Sequence, residues 1–65
     1  MNTISKLVLM ANQIAANLER EADPAAAVAD HIKRYWDPRM KSLVRDPGVE
    51  GLSRTASAAI KLLDD

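Results

Sequence analysis

The chain has 65 residues, nine basic and nine acidic side chains, and no cysteine. A disulfide framework and a thiolate metal site are therefore excluded, and the balanced charge argues against a general polyanion binder, whose affinity rests on excess Lys and Arg. Hydrophobic residues make up 48%, but eleven are alanines and Phe is absent, so a core that rarely supplies more than ~3–5 kcal/mol at this size calls for a partner.

Ile4, Leu7, Val8, Ala11, Ile14, Ala15 and Leu18 recur at the spacing of one helical face. They predict a first helix over about 3–22, with Asn2, Thr3 or Ser5 as cap. Leu9 and Met10 lie off this stripe, either as a widened core face or as an exposed patch. Asp-Pro then occurs three times, at 23–24, 37–38 and 46–47. Asp caps free N–H groups, and Pro suits the first helical position because it lacks the N–H that would be orphaned there. A second helix is predicted over 24–35, with Ala25, Val28, Ala29, Ile32 and Trp36 on one stripe. Its run Ala25-Ala26-Ala27 favours helix while burying little area, which lets a neighbouring backbone come close. A third helix is predicted over 38–44, presenting Met40, Leu43 and Val44.

The segment 46–51 holds both glycines and reads as a turn or loop. Ser53 caps a predicted fourth helix over 53–63, with Ala56, Ala59, Ile60 and Leu63 on one face. Asp64 and Asp65 place negative charge at its C-terminus, where the helix dipole disfavours it. The expected fold is all-α, a compact bundle of three or four short helices in a single domain over 1–65. The apolar run Leu7–Ala11 is far shorter than the ~20 residues of a membrane span. The expectation is a soluble, cytoplasmic protein without membrane contact.

An enzyme needs several converging reactive groups, and this chain offers one His and no Cys. His31 precedes Tyr35 by one turn, so the two rings can meet on one helix face. Asp30 and His31 are adjacent on a helix and diverge, which spoils them as a metal pair. The two glycines build no phosphate loop. No catalytic residue, bound cofactor or metal is expected in this chain.

The densest unusual segment is Asp30–Lys41, which holds both aromatics, an Asp-Pro turn and a basic run. Trp36 is either the keystone of the core or an interface anchor, since Trp and Arg are the types most enriched at binding hot spots. From Asp30 to Arg45 five basic residues face two acidic ones, a weak signal for nucleic acid on a neutral chain. The candidate partner-binding residues are Met10, Asn12, Gln13, His31, Trp36, Asp37, Pro38, Arg39 and Met40. Asp37 would cap the third helix, and Arg39 could pair with a partner carboxylate. Asn12 and Gln13 either bond a partner's backbone or lie on a solvated face. Met10 and Met40 either adapt to a partner surface or plug the core.

Met10-Ala11-Asn12-Gln13-Ile14-Ala15, His31-Ile32, Trp36-Asp37-Pro38-Arg39-Met40 and Gly51-Leu52-Ser53 follow one another in an order and spacing that resembles a known family. That family is the delta subunit of NAD-dependent formate dehydrogenase. Arg54 departs from the pattern, in which a proline is expected after Gly-Leu-Ser. The resemblance implies a cytoplasmic complex that oxidises formate to carbon dioxide and reduces NAD. Its larger subunits would carry the molybdenum cofactor, iron–sulfur clusters and flavin. The delta subunit would be the small one without cofactors, aiding assembly or stability through protein–protein contacts. A transient assembly chaperone, a small nucleic-acid-binding regulatory module and self-association through the alanine-rich faces are the alternatives.

Overall fold

The computed structural model describes residues 3–63. Asn2, Asp64 and Asp65, for which a cap and two terminal charges were expected, lie outside the described residues. Four short helices form a compact all-α bundle: α1 (Thr3–Asn17), α2 (Pro24–Tyr35), α3 (Pro38–Val44) and α4 (Arg54–Lys61). α4 packs chiefly on α2, while α1 touches all three other helices.

The first two Asp-Pro pairs start helices. The Asp23 carboxylate accepts the Ala26 N–H at 3.2 Å, and that of Asp37 accepts the Met40 N–H at 2.8 Å. Each satisfies one of the donors that a helix leaves orphaned at its start. Ser53 does the same for α4 through the Ala56 N–H, and Arg54 stands at the first helical position, where the proline of the family pattern would also fit. The third pair behaves differently. Asp46 accepts the N–H of Gly48 at 2.7 Å, two residues on, and so closes an Asx turn instead of opening a helix.

α1 stops at Asn17, short of the expected Ala22. The Leu18 N–H is shared between the carbonyls of Ile14 and Ala15, and the Glu21 N–H bonds back only three residues, to Leu18. This tightening ends the helix, although nothing in residues 18–22 breaks helix by propensity. Leu18 is the last α1-side residue packed against the core. Beyond it Glu19, Arg20 and Glu21 offer nothing to bury, and the chain must reverse to bring the α2 stripe back onto α1. At the other end α4 closes at Lys61, and the N–H of Leu63 bonds Ile60 in a final three-residue turn that leaves the Leu63 side chain buried.

The core is built from Leu7, Ala11, Ala15, Val28, Ala29, Ile32, Trp36, Val44, Ala56, Ala59, Ile60 and Leu63. Alanines at the helix contacts allow close backbone approach but bury little area each. Trp36, Ile32, Ile60, Leu7, Leu63, Val28 and Val44 supply the bulk. Among the described residues no polar or charged side chain is buried.

Candidate docking surface

α1, α2 and the start of α3 frame an open groove of about 470 Å³. Met10, Gln13, Ile14 and Asn17 form its α1 wall. His31 and Tyr35 form the opposite wall, with Trp36 and Met40 where α2 gives way to α3. The wall residues of α1 follow from helical period: positions 10, 13, 14 and 17 share a face beside the buried stripe of Leu7, Ala11 and Ala15. The sequence left Met10 between core and surface, and it is 41% exposed; Leu9, at 51%, is exposed as well.

The expected ring contact is present. His31 and Tyr35 have centroids 4.7 Å apart at 43°. Tyr35 is 71% exposed, so this pair stands as a ridge between the groove and a neighbouring depression that includes Glu21, Asp30 and Arg34. Asp30 and Arg34 pair at 3.2 Å across one helical turn. Both are largely solvated, so this pair contributes at most about 1 kcal/mol.

Trp36 is only 5% exposed and belongs to the core. Its backbone N–H closes α2 on the Ile32 carbonyl at 2.9 Å. It therefore underlies the groove and offers an edge to it. Asp37 and Pro38 build the N-terminus of α3 and so set where Met40 stands. Arg39 lies outside the groove, in a depression that it shares with Leu43 of its own helix and with Thr3 and Ile4 at the start of α1.

Asn12 faces away from the groove. Its amide nitrogen donates to the Gly51 carbonyl at 2.9 Å, and its amide oxygen accepts the Ser53 N–H at 2.8 Å. The structure thus places Asn12 in the joint between α1 and the 45–53 loop. Of the sequence-derived candidates, Met10, Gln13, His31, Trp36 and Met40 share the groove; Asn12 and Arg39 lie elsewhere. Ile14, Asn17 and Tyr35 belong to the groove but were not singled out as partner-binding residues. For Asn17 the signal was the step of four from Gln13 and seven from Met10.

Among the described residues no group of three or more His, Cys, Asp or Glu side chains is placed to hold a metal ion, and no helix is long and apolar enough to cross a membrane. The geometry suits contact with another macromolecule: an apolar trough, two uncommitted amides on one wall and an aromatic ridge on the other. No curated protein and no solved structure gives a significant match to the chain. A family model, described as NADH-dependant formate dehydrogenase delta subunit FdsD, matches residues 6–60. That span takes in every motif on which the resemblance rests, and the chain belongs to this family.

Proposed function

We propose that the chain is a non-catalytic accessory subunit of a formate dehydrogenase complex, supporting assembly or stability by docking onto one of its larger subunits. Family membership over residues 6–60 supports the complex. The observation that carries the docking mode is the open groove of α1, α2 and α3, where Met10 and Tyr35 remain exposed beside Ile14 and Met40. Exposed apolar side chains gathered at one concavity are what a protein interface covers. The redox centres belong to the larger subunits in this reading, and this chain supplies surface.

The test is co-expression of the tagged, full-length chain with the larger formate dehydrogenase subunits of its own cell. The expected result is stoichiometric recovery with the active enzyme. Met10→Asp, which places a charge in the groove, is expected to abolish recovery while circular dichroism of the variant stays helical. Leu9→Asp, on an exposed site outside the groove, is expected to leave recovery intact. Recovery unaffected by Met10→Asp would remove the groove from the reading, and a chain that never accompanies the enzyme would remove the reading itself.

A further inference from the structure

The occupant of the groove is constrained by three features of its lining. First, no Asp, Glu, Lys or Arg lines it, although such residues make up 28% of the chain. Burying an unpaired charge against such a surface is costly, so the part of the occupant that enters is uncharged.

Second, the side-chain amides of Gln13 and Asn17 make no hydrogen bond to any other described residue. Each amide offers a donor and an acceptor together. Unpaired extended backbone presents both in return, as partner side-chain amides also can, whereas the backbone inside a helix has both committed to its own bonds. The spacing agrees. Residues four apart on α1 are about 6 Å apart along its axis, close to the ~6.6 Å repeat of two residues in an extended chain.

Third, the surroundings of the groove are electrically polarised. Lys6 lies on the same α1 stripe as Met10, Gln13 and Asn17, one turn nearer the start of the helix. Arg39 also lies against the start of α1. Both cations are exposed, and neither pairs with a carboxylate among the described residues. The opposite end carries Glu21 and the C-terminus of α1, whose last turn holds no basic residue to offset its dipole. Asp30 and Arg34 in that neighbourhood neutralise each other.

We propose that the groove receives an extended, uncharged peptide segment of the larger subunit, whose backbone bonds the Gln13 and Asn17 amides and whose acidic end faces Lys6 and Arg39. This rests on the docking role proposed above and adds the conformation and chemistry of the partner. From Asn17 to Lys6 the stripe runs about 16 Å, so the acidic residue stands about five extended positions from the one held by Asn17.

The experiment places a photo-cross-linking amino acid at Met10 or at Asn17 of the full chain, within the assembled complex, and maps the joined residues of the larger subunit. Met10 and Asn17 are about 10 Å apart along α1. An extended occupant gives cross-links about three residues apart, with an acidic residue beyond the Met10 site. A helical occupant gives a separation of about seven residues and overturns the proposal, as do cross-links on unconnected segments. In parallel, the double variant Gln13→Ala/Asn17→Ala is expected to weaken capture about tenfold with unchanged helicity. Capture unchanged in that variant overturns the backbone contact while leaving the docking role standing. Failure of the unmodified chain to join the complex overturns both.

Discussion

The Asn12 side chain spans from α1 to the loop before α4, giving one hydrogen bond to the Gly51 carbonyl and taking one from the Ser53 N–H. A single amide, with its donor and acceptor side by side, thus fixes both ends of a three-residue stretch whose last member caps α4. The pairing gives a physical reason for Asn12 and Gly51-Leu52-Ser53 to occur together in the pattern by which the sequence resembles its family. Asn12→Ala leaves both backbone groups without this partner. They are solvent-accessible, so water takes up part of the loss, and the expected destabilisation is about 1–2 kcal/mol. Urea unfolding followed by circular dichroism measures it, and a midpoint equal to that of the unaltered chain would show the joint to be dispensable.

Gly51 enters this joint with φ +92, the one positive φ among the described residues. A Cβ there would sit 3.5 Å from Val8 Cγ1, an ordinary contact, so space is no obstacle. The conformation is. Gly51→Ala is expected to cost about 1–2 kcal/mol through backbone strain. Gly51→Asn should cost less, because Asn tolerates positive φ better than other side chains. Thermal unfolding of the two variants tests the order, and an Ala variant as stable as the parent would argue that the loop re-forms with negative φ.

Much of this fold was legible because its punctuation is chemical. Asp23 and Asp37 announce helix starts, and Ser53 does so without a proline. The buried stripe of α4 follows from its period alone. The end of α1 was not legible: residues 18–22 contain neither Gly nor Pro, and what stops the helix is the need to fold α2 back, which no local residue encodes. Trp36 could be narrowed to core or interface but not assigned, since either use requires the same residue type. Nothing local to Asn12 shows where it bonds, because its partners lie 39 and 41 positions away. The groove emerged only when two helices and a turn came together, yet its α1 wall was already a stripe in the sequence.

Asp37 joins stability to the proposed docking face. Its carboxylate caps α3 at the N–H of Met40, the same residue that completes the groove. Asp37→Ala is expected to lose about 0.5–2 kcal/mol and also to weaken capture by the larger subunit, because Met40 loses its anchor. Asp37→Asn retains a capping oxygen and should restore most of both. Asp23→Ala removes a comparable cap far from Met40 and should lower stability without the added loss of capture. Equal capture by the Asp37 and Asp23 alanine variants would separate the cap from the groove.

Trp36 and Met10 separate folding from docking. Replacing a buried Trp by Ala costs roughly 3–5 kcal/mol, about all that a core of this size supplies. Trp36→Ala is therefore expected to unfold the isolated chain, and its failure to bind would say nothing about the interface. Met10 contributes little to the core at 41% exposure, so Met10→Ala should change stability by no more than about 0.5 kcal/mol. Its loss should appear instead in the complex, as faster dissociation from the larger subunit. Tyr35→Ala is the companion test, since at 71% exposure its ring serves the ridge and not the core. Binding kinetics on immobilised enzyme, read beside unfolding curves, would show both variants folded and both leaving the complex sooner. Variants that dissociate at the parental rate would mean that the larger subunit grips another face of the bundle.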